Sequence, residues 1–400
     1  MLFALALSLS ALNLVGCGSL AKTVVSDPAP AAQAYQRTRD LRALVDALAL
    51  PVVERGETPG LIVGVRLADG RQHVFGYGRA NDFDAEAPSA DTAFAIGSVT
   101  KLLVGAVAQR LAQRGVIDWD DTLRESLPAN VALSEDAARI TLRQLAAHTS
   151  GLPRQPAELR TLWLFTQYLF NGRDFYRHLD RDHVYRYLAD WKAPDPDQVL
   201  PRRYSNIGFA LLSHVLELRT RRSIDELVDE ELVRPLGLRR TTFDASRVAI
   251  QPARASGHAG DQPKFIARGT AVEDWRMNDF MRGTGGLYST VADLLRYADA
   301  HLREGGDDVH AALAATLRAE PTRIGWLPAA EEGGPQVYQF GVIAGYSAYL
   351  GLDTQRDIAV VVLQNSFNWT DHIGFNLMLR LARANDLARA PSAIGRDMGS

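Results

Sequence analysis

Cysteine and lysine are both scarce in this sequence, and each shortage limits its chemistry. Cys17 is the single cysteine among 400 residues, which excludes an internal disulfide framework and a metal site built on several cysteines. Only four of the 44 basic residues are lysines, and the other 40 are arginines. One of the four, Lys101, lies in a run of apolar and small residues. Lysine, unlike arginine, can lose its proton near neutral pH when buried, so this position needs a chemical explanation.

The sequence also lacks a strong net charge and a second long apolar run. A net charge of −3 and a pI near 6.3 give no basic surface for nucleic acid, so no nucleic-acid partner is expected. Beyond the N-terminus no run of about 18 apolar residues occurs of the kind that spans a membrane. A hydrophobic content of 46% is typical of a globular protein, and 400 residues suffice for one large or two ordinary domains.

The first 22 residues, MLFALALSLSALNLVGCGSLAK, form an apolar run of signal-peptide length that ends in small residues. Their LVGC segment resembles the lipobox of bacterial lipoproteins, in which the cysteine is lipidated and becomes the mature N-terminus. The resemblance implies a signal peptide over 1–16, lipidation of Cys17 and a tether over 17–33. It also implies a periplasmic protein with a lipid anchor in the membrane, and Gly18 after the cysteine favours the outer membrane. An uncleaved anchor, or an ordinary signal with a chance cysteine, is the alternative.

Residue periodicity and turn signals predict an α/β chain of the α+β type whose sheet is built from both ends. A helix near 34–55 precedes two strands joined at Asp69-Gly70, a strong hairpin signal. Helical periodicity dominates from about 118 to 235, strand patterns return in QVYQFGVIAGYSAYLGL and IAVVVLQN, and a last helix covers about 369–385. We therefore predict a sheet domain over 34–105 and 236–388, an inserted helical domain over 106–235, and a disordered tail over 389–400.

The segment TAFAIGSVTKLLVGAVAQRL carries the strongest chemical signal. Ser98 and Lys101 are three residues apart, which places them on the same side of a helix. A serine hydroxyl is a poor nucleophile until a base accepts its proton, and a lysine desolvated by apolar neighbours is able to act as that base. The S-x-x-K pattern is common by chance, but the scarcity of lysine gives it more weight here.

A second triplet, Tyr204-Ser205-Asn206, lies just before a predicted helix. The Tyr204 phenol is able to relay the serine proton, and the Asn206 amide is able to bind a substrate carbonyl. The competing interpretation is structural, since Ser205 or Asn206 would also serve as an N-terminal helix cap.

Five segments in order resemble the serine β-lactamase and penicillin-binding protein superfamily, above all its branch of class C β-lactamases, DD-carboxypeptidases and family VIII esterases. They lie between about Pro59 and Arg383 and read DTAFAIGSVTK, ITLRQLAAHTSGLP, YSNIGFALL, VRPLGLRRTTF and GTGGLYSTVADLLRYA. The resemblance implies a β-lactamase/transpeptidase-like fold, with an antiparallel sheet flanked by helices and an inserted all-helical domain. It also implies an acyl-enzyme on Ser98, with Lys101 and Tyr204 as its base pair and with neither a metal nor a cofactor.

In that family the strand lining the cleft carries Lys-Thr-Gly or His-x-Gly, six residues before a Gly-Phe/Tyr-Ser. Counting back from Gly345 gives Gln339-Phe340-Gly341, so the glycine is present and the cation is absent. The resemblance places Gln339 and Gly341 in substrate binding. It also implies that the N–H groups of Val342 and Ser98 form the oxyanion hole.

The family's cation helps to hold a substrate carboxylate and to lower the pKa of the tyrosine. Because Gln339 carries no charge, the sequence leaves Lys101 as the one cation expected near Tyr204. An arginine of the last helix, Arg380 or Arg383, is the alternative source of charge. We predict weak β-lactam turnover and a relative preference for neutral acyl substrates such as esters.

The sequence therefore predicts a monomeric serine hydrolase of the cell envelope that acts on ester or amide substrates, either small molecules or peptidoglycan fragments. The first alternative directs the same chemistry at D-alanyl-D-alanine peptides or at β-lactams. The second is a catalytically silent lipoprotein that binds muropeptides. Gln339 favours silence, whereas the intact serine, lysine, tyrosine and asparagine argue against it.

Two histidines and one aromatic-rich stretch have competing interpretations. His148, in AAHTSGL, is an alternative base for a Ser/His/Asp triad, although a structural role in a turn is favoured. His183 lies among carboxylates without a second histidine at ligand spacing, so a solvated helix face is favoured over a metal site. Residues 163–191 hold nine aromatic residues. These form either the core of the helical domain or an apolar rim over the cleft that selects an acyl group.

Overall fold

The computed structural model describes residues 25–83, 85–194, 202–248, 254–303, 305–318, 323–329, 335–369 and 372–389. The predicted signal peptide, the lipidation site Cys17, the start of the predicted tether and the predicted tail beyond 389 lie outside these residues. Within the described residues no helix is both long and apolar enough to cross a membrane.

The described chain contains eight strands and many helices, most of them short. The strands are β1 Gly60–Arg66, β2 Gln72–Gly78, β3 Phe94–Ala95, β4 Tyr288–Ser289, β5 Leu327–Pro328, β6 Gln336–Ile343, β7 Tyr346–Asp353 and β8 Ile358–Gln364. The α-helices are Ala29–Thr38, Leu41–Glu54, Thr100–Gln113, Leu123–Ser126, Glu135–Ala138, Leu142–Ala146, Leu159–Asn171, Arg181–Asp190, Asn206–Thr220, Ile224–Val228, Arg234–Leu236, Ala245–Val248, Asp279–Arg282, Val291–Leu302, Asp308–Thr316 and His372–Arg389.

One six-stranded sheet joins the two ends of the described chain, in the order β2-β1-β8-β7-β6-β5. Every pairing in it is antiparallel, and β1 lies between its hairpin partner β2 and the late strand β8. Alternate residues of β1 enter two different cores, with Ile62 on one face and Leu61 and Val63 on the other. The antiparallel sheet flanked by helices confirms the predicted fold class, and the domain boundaries stay a prediction.

The first described helices differ from the prediction of one helix near 34–55. Ala29–Thr38 and Leu41–Glu54 are separate helices, because Arg39 takes a left-handed conformation with φ of 56°. Asp40 then caps the second helix by accepting a hydrogen bond from Ala43 N at 3.0 Å. The predicted tether is therefore too long at its C-terminal end, since residues 29–33 are helical and Gln36 bonds the last helix at Ala384 O. That last helix is His372–Arg389, longer than the predicted 369–385.

One buried carboxylate joins two of the sequence segments that resemble the family and so positions the strands beside the site. Asp293 follows the GTGGLYST run and is 2% exposed. Its oxygens accept hydrogen bonds from Arg239 N at 3.0 Å, from Arg240 N at 2.7 Å and from Thr241 Oγ1 at 2.9 Å. The aspartate thus fixes the loop after Pro-Leu-Gly against the segment that carries β4, and β4 in turn pairs with β3 just before Ser98.

Candidate active site

Ser98 lies in a 3-10 turn, Gly97–Val99, that leads directly into the Thr100–Gln113 helix. The serine was predicted to share one α-helix with the lysine; it lies instead in the turn before that helix, which still brings both side chains to the same side. Gly97 has a φ of +48°, and a Cβ there would lie 2.8 Å from Val342 N. Glycine is therefore required twice at this position, by its backbone conformation and by the close approach of strand β6.

Lys101 reaches the serine from the first turn of the following helix. Its Nζ lies 3.1 Å from Ser98 Oγ and donates to Thr284 O at 2.6 Å. The lysine is 0% exposed, and its Nζ lies 5.1 Å from the centre of the Tyr204 ring. The pair is within hydrogen-bond distance, which is the geometry that proton transfer from serine to lysine requires.

The Tyr204-Ser205-Asn206 triplet forms the start of a helix, and Ser205 is its cap. Ser205 caps the Asn206–Thr220 helix by accepting from Gly208 N at 2.9 Å, and it donates to Pro153 O at 2.8 Å. The cap fixes the backbone on either side of Ser205. Tyr204 is thereby held beside Lys101, while Asn206 begins the helix.

Asn206 is coupled to a tyrosine that the sequence motifs did not identify. Its Nδ2 donates to Tyr176 Oη, which also accepts from Gln155 Nε2 at 2.9 Å. Asn206 is 3% exposed, and its Oδ1 has no hydrogen-bond partner among the described residues. The bond to Tyr176 uses one of the two N–H donors of Nδ2, so the amide keeps a donor, as proposed from the sequence, and an acceptor at Oδ1. Tyr176 was counted only among the nine aromatic residues, and no local pattern marked it as part of the site.

His148 has a structural role that leaves it unable to serve as the base. Its Nδ1 accepts from Ser205 N at 3.1 Å, so its proton resides on Nε2 and no lone pair remains to receive another. Burial is the main cause that lowers the pKa of His148 well below its usual value, and the charges of Lys101, Arg202 and Arg154 lower it further. The neutral ring packs 4.4 Å from the Tyr204 ring, centre to centre.

Strand β6 passes directly over the nucleophile turn at Gly341. A Cβ on this residue would lie 2.1 Å from Ile96 O and 2.7 Å from Ser98 N. The strand backbone at Gly341 and Val342 therefore contacts the backbone of the turn. The structure thus brings together the two segments whose N–H groups were expected to form the oxyanion hole.

Gln339 lies inside the protein instead of presenting an open polar group to a ligand. It is 0% exposed, its Nε2 donates to Gly325 O at 2.7 Å, and its Oε1 accepts from Phe340 N at 3.1 Å. Both ends of the carboxamide are bound to the protein's own backbone. The glutamine therefore connects β6 to the loop before β5.

The prediction that Arg380 or Arg383 replaces the missing strand cation is wrong. Both lie on the His372–Arg389 helix, which packs on the sheet face opposite the nucleophile turn. The expectation that Lys101 is the one cation near Tyr204 is also wrong. The guanidinium carbon of Arg154 lies 5.3 Å from the centre of the Tyr204 ring. Local sequence could not show this proximity because 50 residues separate the two positions.

Part of the aromatic-rich stretch is buried core and part of it is exposed. Tyr168, Phe175 and Tyr176 are buried, as the core interpretation expects. Trp163 and Phe170 are 63% and 61% exposed, and both lie on the Leu159–Asn171 helix. Phe170 stacks on Phe265, whose ring centre is 4.3 Å away.

His183 corrects a smaller prediction. It is 2% exposed instead of lying on a solvated helix face, with Nε2 2.8 Å from Glu158 Oε2 and Nδ1 3.3 Å from Arg160 Nη1. Its helix buries this face, and the ring lies between the side chains of Glu158 and Arg160. Among the described residues no group of three or more histidine, cysteine, aspartate or glutamate side chains is placed to hold a metal ion.

Comparison with known proteins agrees with this geometry. Residues 41–383 match the model of the Beta-lactamase family. The D-alanyl-D-alanine-carboxypeptidase/endopeptidase AmpH of Escherichia coli K12 is 27% identical over 328 residues, which cover 74% of this chain and 77% of that protein. Among solved structures, the D-alanine carboxypeptidase AmpC from Burkholderia cenocepacia has a TM-score of 0.66 at 21% identity, covering 86% of this chain and 99% of the other. A class C β-lactamase from Rhodobacter sphaeroides has a TM-score of 0.68 at 22% identity, covering 84% and 98%. The chain therefore belongs to the Beta-lactamase family, as a serine hydrolase with that family's fold.

Proposed function

We propose that the protein hydrolyses ester or amide substrates in the cell envelope through a transient acyl-enzyme on Ser98. The observation that carries this proposal is the contact of 3.1 Å between Ser98 Oγ and the Nζ of the fully buried Lys101. A buried lysine in contact with a serine hydroxyl is the arrangement in which an amine base activates an alcohol nucleophile.

The proposed reaction has two halves. Ser98 Oγ attacks the substrate carbonyl carbon while its proton passes to the Lys101–Tyr204 pair, and the N–H groups of Ser98 and Val342 stabilise the oxyanion. Collapse breaks the bond to the leaving alcohol or amine, which takes up that proton. Water then attacks the serine ester with the same pair as base, and the carboxylic acid product leaves Ser98 in its original form.

A D-alanyl-D-alanine carboxypeptidase is the second candidate, and the similarity to AmpH favours it. The same acyl-enzyme would then form on a peptidoglycan peptide with release of D-alanine, and a class C-type β-lactamase is its close variant. A silent muropeptide-binding lipoprotein is the third candidate. The preformed contact between Ser98 and Lys101 argues against silence.

Intact-protein mass spectrometry tests the function directly. Wild type, Ser98→Ala and Lys101→Met are exposed separately to a fluorophosphonate and to a penicillin. We expect an adduct on wild type, none on Ser98→Ala and strongly slowed labelling of Lys101→Met. Lys264→Met is the matched control, because Lys264 is exposed, and it should label like wild type. Absence of any adduct on wild type would refute the acyl-enzyme. The relative rates with the two probes separate an esterase from a penicillin-recognising enzyme.

The proposed location is the periplasmic side of the outer membrane, with a lipid on Cys17. The support is the LVGC segment after an apolar run, followed by Gly18. Membrane fractionation of the full-length chain and of Cys17→Ala tests it. We expect wild type in the outer-membrane fraction and Cys17→Ala released from it, and equal distribution of the two would contradict lipidation at this residue.

A further inference from the structure

The site lacks a cation on strand β6, yet other elements bring positive charge to the same tyrosine. We propose that Arg154 replaces the missing strand cation by placing its charge beside Tyr204, which makes Arg154 a positioning residue for the proton relay. This inference rests on the proposed acyl-enzyme function. It concerns which residue sets the proton affinity of the relay.

Arg154 and Lys101 both lie close to the Tyr204 ring. The Arg154 guanidinium carbon lies 5.3 Å from the centre of the Tyr204 ring, and Lys101 Nζ lies 5.1 Å from the same point. An opposite charge within about 4–6 Å of an ionisable group favours the charged form of that group. The Arg154 guanidinium stays charged whether or not Lys101 has lost its proton, so it favours the phenolate of Tyr204 over the phenol.

Backbone hydrogen bonds fix the position of Arg154. Its carbonyl oxygen accepts from Asn206 N at 3.1 Å and from Ile207 N at 3.3 Å. The preceding residue, Pro153, accepts from Ser205 Oγ at 2.8 Å. The loop that carries the arginine is thus attached to the residues that follow Tyr204. The arginine's main chain is held in place beside the relay.

Gln339 carries no charge, and its hydrogen bonds prevent it from moving toward the phenol of Tyr204. Its carboxamide is bound at both ends and 0% exposed. Arg154, in contrast, is half-buried and lies in the loop after the His-Thr-Ser-Gly-Leu turn.

The charged and titratable groups around Tyr204 come from three elements. The helix after Ser98 contributes Lys101, the turn after residue 146 contributes His148 and Arg154, and the segment before the tyrosine contributes Arg202. His148 is neutral because burial and the three cations lower its pKa. Arg202 donates from Nη1 to Trp326 O at 3.2 Å. Arg154 is the guanidinium that lies over the Tyr204 ring, with its carbon 5.3 Å from the ring centre.

The test compares variants that remove or keep the charge, measured as the pH dependence of kcat/KM for acylation. Loss of the charge in Arg154→Met should raise the pKa of the base by about one unit, so the rising part of the pH profile of kcat/KM moves to higher pH by that amount. At a fixed pH near neutrality, kcat/KM should therefore fall about tenfold. Arg154→Lys keeps a cation and should retain most of the wild-type rate and limb. Arg203→Met is the matched control, because Arg203 donates to Gly151 O at 3.2 Å and lacks a contact with the Tyr204 ring among the described residues.

Comparison of Arg154→Met with Arg154→Lys separates charge from shape, because both variants keep a long unbranched side chain and only the lysine keeps the positive charge. If Arg154→Met melts well below wild type, Arg154→Gln takes its place with the same expectation. An unchanged pH profile in a folded charge-removing variant that still forms the adduct would overturn the role of Arg154 alone. A wild type without any adduct would overturn the proposed function itself.

Discussion

At the scale of single residues, the site depends on two glycines where main chain crosses main chain. Gly97 belongs to the nucleophile turn and Gly341 to strand β6, and each leaves no space for a Cβ against the other segment. Serine and lysine supply the chemistry. Because these two positions lack a side chain, the strand approaches the turn closely enough for the N–H groups of both segments to reach the same substrate carbonyl.

Gly341→Ala should damage both folding and acylation. The added Cβ would lie 2.1 Å from Ile96 O and 2.7 Å from Ser98 N, and both are backbone atoms. We expect a loss of about 1–3 kcal/mol in the free energy of unfolding, as for other overpacked sites, together with at least a tenfold slower adduct formation. Gly306→Ala is the control, since nothing lies within 4 Å of its added Cβ. Wild-type behaviour of Gly341→Ala in urea unfolding and probe labelling would contradict the close crossing.

His301 gives a prediction for the pH dependence of stability. It is fully buried against Trp326, and this burial lowers its pKa to about 4 in the folded protein, from 6.5 for an ordinary histidine. His301 therefore binds a proton below about pH 6.5 in the unfolded chain, but only below about pH 4 in the folded protein. The stabilising contribution is present above pH 6.5 and is lost as the pH falls, by about 3 kcal/mol in total.

His301→Gln should therefore flatten the acid side of the stability curve. Urea unfolding at pH 7 and pH 4.5 measures the effect. We expect wild type to lose about 2 kcal/mol more than the variant between these two pH values. Equal losses in the two proteins would show that this histidine does not control the acid range.

At the scale of elements, the Leu159–Asn171 helix shows what periodicity predicts and what it misses. Its apolar pattern correctly predicts a helix, but the residues that the rest of the fold covers are few: Thr161 and Tyr168 are buried, whereas Trp163 and Phe170 are not. Spacing along a helix defines a face. Which face meets other elements depends on residues 262–278, far along the chain.

Substitutions on this helix should separate the two faces. Trp163→Ser should change the free energy of unfolding by less than about 0.5 kcal/mol, because the ring is 63% exposed. Tyr168→Ala should cost about 3–5 kcal/mol, because its ring is 2% exposed and packs among Phe165, Phe175 and Trp275. Urea denaturation of both variants measures the difference, and a large loss for Trp163→Ser would mean that the exposed face is covered.

The same distinction explains how much of the site could be predicted from sequence. Ser98 and Lys101 were predictable because three-residue spacing itself determines that their side chains meet. Tyr176 and Arg154 were not, since their partners in the site lie 30 and 50 residues further on. Gln339 was predicted by alignment with the family's pattern. Its inward contact with Gly325 depends on a loop that no local pattern connects to the strand.

At the scale of the whole molecule, the sheet depends on one amide that joins its early and late parts. Asn365 follows β8, and its Oδ1 accepts from Gly60 N at 2.7 Å at the start of β1. Its Nδ2 donates to Arg79 O and Ala80 O, each at 3.1 Å, just after β2. The sequence predicted strands near both ends of the chain but not their order in the sheet. Strands that pair across hundreds of residues carry no local signal of their pairing.

Asn365→Ala should weaken the molecule as a whole. It leaves the buried Gly60 N–H without its partner, and an unsatisfied buried group costs about 1–3 kcal/mol. Ala80 O still accepts from Ser256 N at 3.0 Å. We expect a loss of about 1–3 kcal/mol in urea unfolding, with one cooperative transition retained. Asn130→Ala, at an exposed position, should unfold like wild type. A small loss for Asn365→Ala would show that water replaces the amide.

The placement of β1 between β2 and β8 also governs when a newly made chain becomes active. The hairpin made first has one long edge open until residues near 358–364 have been synthesised. Strand β6, which faces Ser98, likewise follows the nucleophile by more than 200 residues. A chain that has been synthesised only as far as the helices therefore holds its nucleophile without the strand that shapes the reaction. Hydrolysis requires both distant segments to have joined the sheet.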